Sequence, residues 1–263
     1  LSSGTAARHQ HSLSKRVELP RETTINSKTV DMCGFNIAGP KSREMLQRLS
    51  NQDLSNNNWP FMHSGQLSIA GVECLALRIS FSGDLGWEIY CDAEYQEIIY
   101  KNLIKASIIE NGGPVGSRAL MSLRIEKGYG SWSREYSPEV WPHESGLEKL
   151  CKLDKDFLNK RALVENLKNE PREKLVLIKL DEQDCKKSNA DATGGEPIFY
   201  SGKGIGRITS GAYGYNVGMS LALGYVKDVS AGDTVDVMVL GEPHKGKILK
   251  APPFDPEGKI LRS

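Results

Sequence analysis

The chain has 263 residues, 39% of them hydrophobic and 25% charged, with 34 basic against 33 acidic side chains and a formal net charge of +1. That length allows one large domain or two with ample core, and so even a balance gives no electrostatic case for nucleic acid or a membrane surface as partner. No apolar run approaches a membrane span and no signal peptide is read. The five cysteines are odd in number and lack CxxC spacing, which points to reduced packing thiols of an intracellular protein. The chain starts at Leu1 without a methionine, in a segment resembling the end of a strand, and is expected to be a piece of a longer protein.

Residues 1–12 read as a strand end passing into helix, where His9 and His11 are expected as surface histidines without further ligands for a metal. Residues 20–31 read as a polar loop, and Cys33–Ala38 as a short strand. Gly39-Pro40 then opens a helix with Met45, Leu46 and Leu49 as its buried stripe and Arg43, Gln47 and Arg48 on its wet side. Gln66 to Phe81 reads as a hairpin turning at Ala70-Gly71.

Two strands joined by a glycine-bracketed bend follow, in Arg78-Ile79-Ser80-Phe81-Ser82-Gly83-Asp84-Leu85-Gly86-Trp87-Glu88-Ile89-Tyr90. Before the bend, Leu75, Leu77, Ile79 and Phe81 alternate with Cys74, Ala76, Arg78 and Ser80, the period-2 pattern of a half-buried strand. After it, Trp87, Ile89 and Cys91 share one face, with Glu88 and Tyr90 on the other. Gly83 and Gly86 are expected to supply backbone angles costly for other residues. Glu88 admits two readings: a solvated glutamate on a polar face, or a pocket carboxylate accepting a ligand's paired N–H groups.

Helical spacing places Tyr95, Ile98, Ile99, Leu103 and Ala106 on one helix ending at Asn111-Gly112-Gly113-Pro114, and a second helix runs through Arg118–Lys127. Strands feeding helices and returning to strands make a mixed α+β domain. Tyr129 to Gly146 is a long aromatic and charged loop, read either as functional or as a structured strap. Leu153–Val164 reads as one more helix. A polar linker at 168–173 divides residues 1–167 from 174–263, where every segment reads as strand at regular spacing, a small β-barrel or sandwich. Gly202-Lys203-Gly204-Ile205-Gly206 lacks the serine or threonine and the following helix of a phosphate loop and reads as a hairpin turn. No nucleophile elbow, dinucleotide fingerprint or metal-ligand cluster is found.

Arg78-x-Ser-Phe-x-Gly-Asp-x-Gly-Trp-Glu88, Ser122-Leu-Arg-Ile-Glu-Lys-Gly-Tyr129, Glu144-Ser-Gly-Leu147 with Lys152-Leu-Asp, Asp156-Phe-Leu-x-Lys-x-Ala-Leu163 and Ile208-Thr-Ser-Gly211 together resemble, in order, the glycine-cleavage T-protein (aminomethyltransferase) family. They look most like its branch fused to flavin oxidases, the dimethylglycine and sarcosine dehydrogenases. The resemblance implies aminomethyltransferase-like lobes that bind tetrahydrofolate, N-terminally incomplete here, followed by a small C-terminal β-barrel. It implies that Glu88 meets the pterin's amino and ring N–H groups, a donor–donor edge matched by two carboxylate acceptors. Phe81, Tyr129, Thr5 and Arg118 become further folate-binding candidates.

Phe81 stands where the family usually has tyrosine, and Leu120 where T-proteins carry a folate-contacting arginine, a departure shared with the dehydrogenase branch. The aspartate thought to assist methylene transfer would lie upstream of Leu1, leaving no catalytic residue within the chain. A flavin (FAD) would belong to that missing N-terminal part. The implied partners are folate and a small N-methyl amine or other one-carbon donor, in bacterial cytoplasm or the mitochondrial matrix. A free-standing folate-dependent aminomethyltransferase or demethylase, and a non-catalytic regulatory member of the family, stay open as alternatives.

Overall fold

The computed structural model describes residues 21–263 together with His11, Ser12 and Lys15; His9 and the start of the chain lie outside the described residues. The chain forms two compact units. One holds the described residues up to Ser80, then Leu85–Pro114 and Arg262–Ser263; the other holds Phe81–Asp84 and Val115–Leu261.

The first unit is built on a four-stranded antiparallel sheet of β1 (Met32–Ala38), β2 (Ser64–Ile69), β3 (Val72–Leu77) and β4 (Gly86–Asp92), in the order β1-β4-β3-β2. The β2–β3 hairpin closes at Ala70 and Gly71, both at positive φ, as a two-residue turn between right-twisted strands requires. Two helices pack together in the same unit, α1 (Ser42–Gln47) and α2 (Gln96–Ile109). The proline of Gly39-Pro40 precedes the helix, which starts at Ser42 with the Ser42 hydroxyl donating to Gly39 O and Leu85 O. Leu67, Ile69, Ile89, Ile99, Leu46 and Trp87 fill the core, and burying each aliphatic chain contributes about 1.5–3 kcal/mol.

The period-2 pattern at β3 holds only to Leu77, where the strand ends short of Ile79 and Phe81, and the face is reversed. Val72, Cys74 and Ala76 are buried, with Arg78 beyond the strand end, while Leu75 is 39% exposed. Small side chains turn inward because Trp87 and Ile89 of the neighbouring strand already fill that layer. Along α2 the buried positions are Ile99, Leu103, Ala106 and Ser107, whereas Ile98, and Tyr95 just ahead of the helix, are exposed.

In the second unit, β5 (Lys174–Leu180), β6 (Pro197–Tyr200), β7 (Lys203–Gly214), β8 (Met219–Val226), β9 (Thr234–Val239) and β10 (Glu242–Ile248) close a barrel in the order β10-β5-β8-β7-β6-β9. Ile178, Ile198, Ile208, Val235 and Val237 fill its interior. Closure leaves no unpaired sheet edge. Ahead of the barrel, α3 (Ser117–Glu126) packs Ile125 onto Leu177, Leu221 and Leu223.

Two helix expectations fail in this unit. Of the Leu153–Val164 stretch only residues 160–164 are helical, in α4 (Lys160–Asn166): Asn159 takes a left-handed conformation ahead of it, and Leu153 and Leu158 are exposed. Within the stretch read as all strand, Glu182–Ser188 (α5) is helical, its N-terminus capped by the Asp181 side chain accepting from the Gln183 and Asp184 amides. A short helix, α6 (Lys259–Arg262), follows the barrel.

Candidate functional site

Glu88 sits in the middle of β4, between Asn36 of β1 and Leu77 of β3 in register. Its even–odd position sends it away from the core. Trp87, Ile89 and Cys91 are buried beneath the sheet, while Glu88 and Tyr90 share the opposite, half-buried face. Because their side chains lie two residues apart on one strand, the Tyr90 hydroxyl reaches Glu88 and donates to Oε2 at 2.6 Å. Among the described residues no hydrogen bond reaches the other carboxylate oxygen, Oε1. Leu75 stands beside Tyr90 in register and Leu77 beside Glu88, so the reversed face of β3 supplies apolar surface next to the carboxylate. A carboxylate with one anchored and one open oxygen beside exposed leucine is suited to a flat ligand carrying adjacent N–H groups.

The strand carrying Glu88 is fixed from the core side. Trp87 is wholly buried and packs against two guanidinium groups, Arg78 at 4.7 Å and Arg43 at 5.2 Å from the ring centroid. Arg78 donates to Gly86 O at 3.1 Å and to Ser263 O at 2.8 Å. Burial, with the charge of Arg43 beside it, pulls the Arg78 guanidinium down to about 10. Gly86 serves close packing rather than unusual backbone angles, since a Cβ there would come 2.8 Å from Ile37 O. Gly83 does take positive φ, at +85°.

The other candidates divide as follows. Phe81 lies half-buried in the bend, Tyr129 follows α3 half-buried, and Arg118 is exposed near the start of α3, all in the second unit. Thr5 lies outside the described residues. Leu120 is half-buried on α3. A surface depression of about 590 Å³ lined by Phe157, Asn159, Lys160 and Arg161 includes none of these residues. Among the described residues, no group of three or more His, Cys, Asp and Glu is arranged to hold a metal ion. No helix among them is long and apolar enough to cross a membrane. The five cysteines are free thiols.

Sequence reasoning missed the group that holds Tyr129 and the loop after it. Glu135, fully buried, accepts from Arg124 Nη1 at 2.9 Å, the Ser131 amide at 2.8 Å, Thr209 Oγ1 at 2.6 Å and Ser210 Oγ at 2.5 Å. Consecutive strand residues normally face opposite sides. Here a bulge between Ile208 and Ser210 turns both hydroxyls to one carboxylate. The same Arg124 nitrogen donates to Tyr129 O at 2.9 Å, tying the candidate aromatic to this network. Burial works against the Glu135 charge, but bonds from Ser210, Thr209 and Ser131 together with Arg124 hold its carboxyl below the usual range. Lys127, half of a buried ion pair with Asp255 at 2.9 Å, has a structural role. No local pattern in the sequence marks Glu135; the paired hydroxyls of Thr209-Ser210 become informative only with the bulge.

Two family models match the chain: the GCVT N-terminal domain over residues 1–155 and the glycine cleavage T-protein C-terminal barrel domain over residues 174–255. The chain is 34% identical over 235 residues to mitochondrial dimethylglycine dehydrogenase of Mus musculus, covering 88% of this chain and 26% of that protein. It is 31% identical over 232 residues to an aminomethyltransferase of Desulfitobacterium hafniense, covering 87% of this chain and 61% of that one. The chain thus spans about a quarter of the dehydrogenase and under two thirds of the transferase. In fold it is similar to the glycine cleavage system aminomethyltransferase T of Bartonella henselae, with a TM-score of 0.74 at 21% identity over 86% of this chain and 60% of that one.

Proposed function

The chain belongs to the glycine cleavage T-protein family, and from that premise we propose that it is the tetrahydrofolate-binding part of an N-methyl-amine dehydrogenase of the dimethylglycine or sarcosine type. The observation that carries this reading is the Glu88 carboxylate, half-buried on the open face of β4 with one oxygen held by Tyr90. The donor chemistry fits: a pterin offers its 2-amino and ring N–H groups on one edge, and an acceptor-only carboxylate meets two adjacent donors. Glu88 would bind and orient the pterin. Phe81, Tyr129, Thr5 and Arg118 are each proposed as further folate contacts.

Folate, when bound, would accept the one-carbon unit as methylene-tetrahydrofolate. The contribution of this chain is to position it and keep water from a reactive iminium. Flavin-dependent oxidation of the amine is assigned in this reading to a segment outside the chain, so that the chain alone binds folate without turning over. Mitochondrial matrix or bacterial cytoplasm is the compartment that goes with it. The match to aminomethyltransferases supports a second reading, a free-standing folate-dependent transferase. A flavin fingerprint elsewhere in the same gene product favours the first.

Calorimetric titration of folinic acid into wild type and Glu88→Gln tests the site. Losing a charge-assisted hydrogen-bond pair costs about 1.5–3 kcal/mol, or about ten- to a hundred-fold in affinity. Equal affinities remove Glu88 from the site.

A further inference from the structure

We infer that Tyr90 is a positioning residue for the pterin-binding carboxylate, its ring laid over Gly34 so that its hydroxyl holds Glu88 toward the ligand; this rests on the assignment of Glu88 to folate. A glutamate on a half-open sheet face has three rotatable bonds and, left alone, samples several directions. Here one oxygen is tied by a 2.6 Å bond, the length of a charge-assisted O–H···O⁻ contact. The donor comes from the same strand, so the restraint moves with the carboxylate.

Room for that geometry comes from the neighbouring strand. Gly34 is the direct partner of Tyr90 in the β1–β4 ladder. A Cβ at Gly34 would come 3.0 Å from Tyr90 Cε1 and 3.2 Å from Cδ1, tighter than ordinary packing. The glycine lets the ring lie across the strand, and the position of the ring sets where the hydroxyl ends. Gly34 φ is not in the left-handed region, so close approach of the ring, not backbone freedom, is what calls for glycine here. With Oε2 anchored and Oε1 open among the described residues, the carboxylate is prepared before the ligand arrives, and preorganisation of this kind raises affinity by removing an ordering cost. It also sharpens selection for a ligand with adjacent N–H donors, because the held carboxylate does not turn to follow a differently placed donor.

Folinic acid titrated into wild type, Tyr90→Phe, Glu88→Gln and the double variant, each as the whole chain, separates this role from a merely structural one. Tyr90→Phe should weaken binding by about tenfold in the wild-type background and by less than about twofold in Glu88→Gln, with its melting temperature close to that of wild type. Gly34→Ala, which keeps both polar groups but crowds the ring, should weaken binding in the same direction. Equal losses from Tyr90→Phe in both backgrounds would show that the ring acts only through the fold and would overturn the inference. Wild-type affinity in Tyr90→Phe alongside a loss in Glu88→Gln overturns the positioning role while leaving Glu88 in the site. No loss in Glu88→Gln overturns the site assignment and this inference together.

Discussion

Replacing Glu135 by glutamine tests how the loop after α3 is held. The substitution keeps shape and volume but removes the charge facing Arg124, both partners being wholly buried. The amide's NH₂ cannot accept from Ser131, Thr209 or Ser210, so at least one of those donors loses its acceptor. Breaking a buried pair by removing one partner costs about 3–5 kcal/mol, and each stranded buried donor about 1–3 kcal/mol. These penalties overlap, so the expected loss is about 3–5 kcal/mol rather than their sum. Urea unfolding of wild type, Glu135→Gln, Arg124→Met and the double variant reads it out. The double variant should be less destabilised than the two singles added together, because removing both charges leaves neither alone in the core. A loss below about 1 kcal/mol in Glu135→Gln would refute the reasoning, as would strict additivity.

Two further outcomes follow from ion pairs and chain organisation. Glu144 takes two bonds from the Arg172 side chain at 2.8 Å, and those bonds, chiefly, push its carboxyl down to about 2 from an ordinary 4.5. A carboxyl depressed on folding adds stability above its unfolded value and loses it as pH falls. The advantage of wild type over Glu144→Gln should therefore be full above about pH 5 and shrink toward pH 2 in urea melts; a constant gap would contradict the pairing. We also propose that residues 1–167 and 174–263 are two domains joined by a cleavable linker at 168–173, with α3 and the loop after it staying packed on the barrel once the linker is cut. Trypsin should then cut first after Lys168, whose side chain is exposed, leaving a strand-rich C-terminal fragment by circular dichroism. First cleavage inside Leu221–Val226 would count against the division.

Much of this structure was legible from spacing. β4 reads correctly because a strand exposing one face repeats every two residues, and Trp87, Ile89 and Cys91 do so without exception. The barrel strands and the turn at Ala70-Gly71 are legible for equally local reasons, whereas the hairpin turn read at 202–206 falls at Ser201-Gly202, with residues 203–206 already in β7. What failed depends on contacts distant in sequence. The core side of β3 was misjudged because leucine outranks alanine and cysteine in any hydrophobic pattern, yet the layer under the sheet was already filled by Trp87. Arg78 in the core has no local signature, since its acceptors are backbone carbonyls of Gly86 and Ser263. Helix α5 has few apolar residues and so no periodic stripe; its one local mark is the Asp181 cap, which is missed when the region reads as all strand. In the candidate site, Glu88 was visible as a carboxylate in an aromatic strand and Tyr90 as its neighbour on the same face. Gly34 was not, because its relevance comes from a register set by strands 56 residues apart (Gly34↔Tyr90).

The most direct test of the account is a crystal structure of this chain with folinic acid. The pteridine should lie on the Glu88 face of β4, its 2-amino and ring N–H groups within about 3 Å of the Glu88 carboxylate, with the Tyr90 hydroxyl still bonded to Oε2. Folinic acid bound with its pteridine edge on other residues, and Glu88 left facing solvent, would contradict it.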